Sequence, residues 1–105
     1  MSVVEGEIVT LEWTYNAGGS AFRQAEFLTQ GVPFVVDKFR QEPVAIGPGF
    51  SGRVAAYITD TNASITFLAV NRTDSRTYDF IVHNENRMTY DRALDINVQC
   101  EWGLR

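Results

Sequence analysis

The sequence holds one cysteine, one histidine, one lysine and three prolines in 105 residues. The lone cysteine, Cys100, excludes an internal disulfide, and taken by itself that points to a reducing compartment. The lone histidine, His83, leaves no Ser-His or Cys-His element at a recognisable spacing, and no pair of His or Cys has the spacing of metal ligands. Asp91 and Asp95 share a parity, but two carboxylates are too few oxygens for calcium. Gly47 and Gly49 flank a proline and open no strand-to-helix turn, which excludes a phosphate loop. No catalytic residue, cofactor, metal or small-molecule substrate is expected, and the chain reads as a non-enzyme. No run approaches the ~20 apolar residues that cross a bilayer. No signal peptide is recognised either, so the anchor or leader of a secreted native protein would lie outside this chain. Positive charge is scarce as well. The net charge is −4 and the isoelectric point about 4.8, the wrong sign for a nucleic-acid binder, which releases counterions with a basic face.

What is present is a globular composition, 45% hydrophobic and 21% charged, in a length that suits one domain spanning residues 1–105. Eight of the nine cations are arginine; either Arg serves an interface or the source lineage favours it. The chain reads as strands. Val9, Leu11, Trp13 and Tyr15 alternate with polar residues at the period of a half-buried strand. Tyr78, Phe80 and Val82 do the same, as do Leu94, Ile96, Val98 and Cys100. Ile65, Phe67 and Val70 mark another strand, with a slip near its end. Gly-Pro punctuation separates short Val-, Ile-, Thr- and Phe-rich stretches, and no dozen residues carry an apolar stripe at helical spacing. The fold class is all-β, a sandwich or barrel.

Asp74-Ser75-Arg76-Thr77-Tyr78-Asp79-Phe80 resembles the D-x-G-x-Y-x-C motif that opens strand F of immunoglobulin domains. Gly6 to Trp13 resembles the strand-B pattern that ends in the first cysteine. Arg53 stands where variable-type domains carry the strand-D arginine that pairs with the strand-F aspartate, here Asp74, and Asn62 to Val70 resembles strand E. The resemblance covers nearly the whole chain and implies a V-set immunoglobulin β-sandwich without an intradomain disulfide. It also implies roles. Trp13 and Phe80 take the two cysteine positions, and Phe27 takes that of the strand-C tryptophan. Tyr78 is the tyrosine corner, bonding backbone near Asp74. A Trp13–Phe27–Phe80 cluster would then stand in for a disulfide worth roughly 2–4 kcal/mol. This set of absences, with the periphery kept, resembles the membrane-distal domains of the allorecognition receptors of colonial hydroids, cell-surface proteins that bind themselves across opposed cells.

On that reading the cysteine count no longer argues for a reducing compartment. Asn62-Ala63-Ser64 and Asn71-Arg72-Thr73 are glycosylation sequons, expected at the ends of strand E and away from the G-F-C-C′ sheet. Cys100 reads as a small inward hydrophobe, or else as a bridge to a partner, and Trp102 as packing against a following domain. The binding face is expected on the G-F-C-C′ sheet, with Glu26 and Leu28 outward on C, and Asp79, Ile81 and His83 outward on F. Gln24, on C, and Asp95, Asn97 and Gln99, on the last strand, are expected to face out with them. Residues 33–40 are the C′ candidate. Their apolar residues occupy both parities, so either Phe34 and Val36 join Lys38 on an exposed patch, or C′ curls over the edge and buries both. The first is adopted. The partner expected is protein, the same chain on an opposing cell; a heterophilic adhesion or receptor module and an intracellular immunoglobulin-like domain of a structural array are the alternatives. The expected place is the extracellular face of the plasma membrane.

Overall fold

The computed structural model describes residues 1–15, 22–85 and 89–100. Trp102 lies outside them. Among the described residues nine strands form: β1 (Ser2–Val4), β2 (Val9–Thr14), β3 (Phe22–Thr29), β4 (Val36–Phe39), β5 (Ala45–Ile46), β6 (Val54–Ile58), β7 (Asn62–Phe67), β8 (Arg76–Asn84) and β9 (Thr89–Gln99). A 3-10 turn over Arg72–Asp74 leads into β8. The strands pair as two sheets, one ordered β1-β9-β8-β3-β4-β5 and one ordered β2-β7-β6. β1 runs parallel to β9, and every other pairing is antiparallel.

Alternation decides which side of each sheet faces the other. Val9 and Leu11 from β2, Ile65 and Phe67 from β7, and Val54 and Ile58 from β6 point inward from the smaller sheet. Ala25, Phe27, Tyr78, Phe80, Val82 and Ile96 meet them from the larger one. Between the sheets the rings form one connected cluster. Trp13 stacks on Phe80 at 4.3 Å and 13° and leans on Phe27 at 5.7 Å. Phe27 in turn stacks on Tyr78 at 5.0 Å, and Phe67 meets both edge-on. Trp13 belongs to one sheet and Phe27 and Phe80 to the other, so this contact crosses the gap that a disulfide would span.

The C′ segment departs from expectation. Val36 is 0% exposed and stands opposite Phe27 and Ile46, on the inner side of the sheet. Val35, in the bend before β4, is also 0% exposed. The adopted reading set Phe34, Val36 and Lys38 outward; the register sets Val36 and Lys38 inward, and a phase shift of one residue reverses every side chain. The bend is held by the Val35 amide bonding the Phe27 carbonyl at 2.8 Å and by the Gly47 amide bonding that of Val35 at 2.8 Å. Gly47 makes the approach possible, since a Cβ there would lie 1.9 Å from the Phe34 carbonyl oxygen. The chain thus buries Val35 in the bend and Val36 on the inner side of the sheet. Val36 is not a binding-face residue, and the outward pair on β4 is Asp37 and Phe39.

With the two sheets joined by ring contact, Phe80→Ala should lower the unfolding free energy by about 3–5 kcal/mol in urea titration. A loss below about 1 kcal/mol would mean that the cluster does not hold the sheets.

Candidate functional site

At one end of the sandwich a polar lock surrounds Asp74. Its carboxylate is buried, and both of its oxygens accept from Nη2 of Arg53, at 2.8 and 2.7 Å. One of the same oxygens also takes the Asn71 amide at 2.9 Å, closing the 3-10 turn as a capping box. The Tyr78 hydroxyl donates to the Asp74 carbonyl at 2.8 Å. Burial first, and then the Asp74 charge, push the Tyr78 phenol up to about 12, against the pull of Arg76 and Arg53. Tyr15, whose hydroxyl donates to the carbonyls of Thr59 and Asn62, is driven up as well, mainly by burial. Arg53, Asp74 and Tyr78 are thus bonded to one another at the strand ends, with Asp74 and Tyr78 buried.

The outer side of the six-stranded sheet is the candidate interface, because among the described residues no other element covers it. Residues opposite one another in the register share a face. One row runs Asp37, Glu26, Ile81, Asp91; the next runs Phe39, Gln24, His83, Thr89; on the other side lie Leu28, Asp79 and Ala93. Leu28 and Ile81, half-buried, stand diagonal to each other and make an apolar centre. Around it are the carboxylates of Glu26, Asp37, Asp79 and Asp91, with Asp95 further along β9. The one base within these rows is His83, whose Nε2 lies 3.4 Å from Glu26 Oε1 and whose Nδ1 lies 3.4 Å from the Thr89 hydroxyl. Asp37 accepts from the Gln24 amide at 3.0 Å. At the rim Arg40 pairs with Glu85 at 3.0 Å and lies over the Phe39 ring.

The sequence-derived set thus divides. Glu26, Leu28, Asp79, Ile81 and His83 come together on one surface. Phe34 is half-buried in the bend outside β4. Lys38 is opposite Ala25 on the inner side, and its stem reaches the sheet edge, where Nζ donates to the Glu42 carbonyl at 3.0 Å. Sequence reasoning placed Asp37 at the rim of this surface, but missed Phe39 as an outward residue of β4 and never placed Asp91 here. For Asp91 the signal was there, since it shares the parity of Asp95. Cys100, just past β9, is half-buried. Among the described residues no group of three or more His, Cys, Asp or Glu could hold a metal ion, and no helix is long and apolar enough to cross a membrane.

No protein-family model and no curated protein matches the chain. Solved structures do. The chain is similar to the NK cell receptor NKp44, described as a triggering partner in natural cytotoxicity, with a TM-score of 0.72 and 13% identity over 94% of this chain and 95% of that one. It is also similar to a chicken TCR chain, with a TM-score of 0.76 and 12% identity over 96% of this chain. It spans about half of that receptor chain, 47%. These likenesses show the fold. It is an all-β, variable-type immunoglobulin sandwich, and with one cysteine in the sequence it has no intradomain disulfide.

A buried phenol whose proton is held more tightly in the folded state than in the unfolded chain contributes stability below its unfolded value and loses it above. For Tyr78 that window runs from pH 10.0 to about 12. Stability measured by denaturant titration should therefore fall as pH rises through this range, and Tyr78→Phe should reduce the fall. Stability that stays level to the end of that window would contradict the buried hydroxyl.

Proposed function

We propose that this chain is the recognition domain of a cell-surface receptor, residues 1–105 forming one domain, and that it binds a protein partner non-covalently through the outer face of the six-stranded sheet. One observation carries this reading: an uncovered face with an apolar centre, Leu28 and Ile81, inside a ring of charge, the anatomy of a protein interface. That both solved neighbours are receptors supports an extracellular place for it, and so do the two sequons. Asn62 is exposed at the start of β7. Asn71 caps the 3-10 turn with its side-chain oxygen, and these capping bonds leave out the amide nitrogen that a glycan uses.

The specific form of the reading is self-recognition of the allorecognition type, the partner being the same chain on an opposing cell. Two identical faces placed squarely together oppose carboxylate to carboxylate, which costs affinity. A self-contact on this sheet therefore requires an offset that lays Arg40 of one copy on Glu26 or Asp91 of the other. The same carboxylates favour a second reading, a heterophilic receptor whose ligand presents a basic surface, since such a ligand needs no offset.

Two-colour bead aggregation tests this. Clusters of this chain with itself, lost on Glu26→Lys or Asp79→Lys, are the expected result for self-recognition. Absence of clusters with folded protein, also for the longer ectodomain, would leave the heterophilic reading. Clusters indifferent to both substitutions would remove the six-stranded face as the contact.

Expression in a secretory host should add a glycan at Asn62 that Asn62→Gln removes, read by intact mass. Unmodified protein from such a host would count against an extracellular origin.

A further inference from the structure

We infer that a cavity at one end of the six-stranded face is a socket for two oppositely charged side chains of the protein partner, a carboxylate beside an ammonium or guanidinium. The inference rests on the reading that this face binds protein. The cavity measures 690 Å³ and is lined by Leu28, Gln30, Gly31, Arg76, Thr77 and Asp79. It adjoins the Leu28–Ile81 centre, since Leu28 and Asp79 stand opposite each other on β3 and β8. Thr77 is the next outward residue of β8, and Gln30 and Gly31 follow the end of β3.

Two opposite charges border this cavity. Arg76, the first residue of β8, is half-buried and fixed at two points: Nε donates to the Thr73 carbonyl at 3.0 Å and Nη1 to the Gln30 carbonyl at 3.1 Å. Both acceptors are main-chain oxygens, so the guanidinium is oriented without being neutralised, and three of its five N–H donors remain. Arg53 and Arg40, by contrast, are neutralised by Asp74 and Glu85. Asp95, across from Thr77, takes the Thr77 hydroxyl at 2.5 Å. Asp79 is half-buried, and among the described residues neither it nor Arg76 has an ion-pair partner within 4.0 Å. A fixed cation and a carboxylate thus share one cavity without meeting.

Charge complementarity chooses the occupant. A ligand of one sign is drawn to one of these groups and repelled by the other, so the two effects largely cancel. A ligand of both signs, its carboxylate on Arg76 and its cation on Asp79, gains from each. The guanidinium fork suits a carboxylate in particular, which it can hold by two parallel N–H bonds. Leu28 gives the aliphatic stems of such side chains an apolar wall. In an extended segment residues i and i+2 point to the same side, roughly 7 Å apart, so an acidic and a basic residue separated by one can enter together. Exchange of the two signs in a docked partner sets like charge against like at both positions, which makes the socket a discriminator of partners. The pair has no net charge, so its capture is not opposed by the −4 of the whole chain.

The test is a titration of the whole chain with the capped tripeptide Ac-Glu-Gly-Lys-NH2, followed by backbone amide NMR in about 10 mM salt to limit screening. Its relatives with Gln in place of Glu, or Gln in place of Lys, are titrated beside it. Shifts at Leu28, Gly31, Thr77 and Asp79 that saturate in the millimolar range are expected, with affinity about threefold or more lower for either relative. Arg76→Gln should erase the preference for Glu over Gln and keep that for Lys, and Asp79→Asn should do the reverse. Arg76→Lys retains the first preference and serves if a thermal melt shows that Arg76→Gln does not fold. No shifts up to about 20 mM peptide, or preferences indifferent to these variants, would overturn the proposal. Equal binding of free glycine would overturn the protein partner, because a small zwitterion would then suffice. Bead clusters lost on Glu26→Lys, without tripeptide binding, would overturn the socket and leave the face. Tripeptide binding as expected, with clusters indifferent to Glu26→Lys, would uphold the socket and remove the self-contact.

Discussion

Trp13 on Phe80 is the contact on which the rest of the sandwich depends. These are the positions that a disulfide would join, and the rings meet face to face at 4.3 Å across the gap between the sheets. A bridge closing a loop of this length would contribute roughly 4 kcal/mol, chiefly by restricting the unfolded chain. Ring pairs contribute about 0.5–1.5 kcal/mol each beyond the area they bury, and the cluster through Trp13, Phe27, Phe67, Tyr78 and Phe80 contains five of them. The two solutions are of the same order. They differ in kind. A disulfide acts largely on the unfolded state and tolerates loose packing around it. The ring cluster acts only in the folded state and requires every neighbour in place. The fully buried Phe27, Phe67, Tyr78 and Phe80 reflect that requirement.

Tyr78 links this cluster to the polar lock. Its ring stacks on Phe27 while its hydroxyl reaches the Asp74 carbonyl. Asp74 holds Arg53, which stands beside β6 at the edge of the other sheet. A buried carboxylate is costly unless it is paired and hydrogen-bonded, and Asp74 receives Arg53 and the Asn71 amide. The aromatic pin and the ionic lock are thus joined through one side chain, and the sheets are fastened at their centre and at one end.

The parts of this arrangement that were legible in the sequence are those carried by alternation and by fixed short spacing. β2, β8 and β9 announce their inner faces every second residue, and Asp74 and Tyr78 stand four apart within one motif. The C′ segment was illegible because its parity is set by where the strand begins. That beginning is fixed by Gly47 lying against Phe34 and by two backbone bonds, contacts between residues far apart in sequence. Val35 and Val36 are both apolar, so the sequence offers no phase. The parallel pairing of β1 on β9 likewise has no local signal. On the three-stranded sheet the apolar outward residues Ile8, Tyr57 and Leu68 interrupt an otherwise polar parity, and that irregularity is visible in the sequence once the inner face of each strand is known.

Because the strands alternate strictly, the side chains that hold the sheets and those that face outward are different sets. Glu26, Leu28, Asp79, Ile81 and His83 alternate with Ala25, Phe27, Phe80 and Val82, and exchange of an outward residue leaves the ring cluster untouched. Core changes cost several kcal/mol, whereas surface changes away from special contacts usually stay within about 0.5 kcal/mol. A fold pinned this way can carry many outer faces on one core. The charge division adds a second separation. One face is dense in carboxylates, which discriminate steeply because a mismatched or unpaired charge is penalised. The other is nearly neutral and rich in hydroxyls, which accept many arrangements at low cost. The first kind of surface separates partners that differ by a single charge, and the second does not. In this chain the two stand on opposite sides of a single aromatic core.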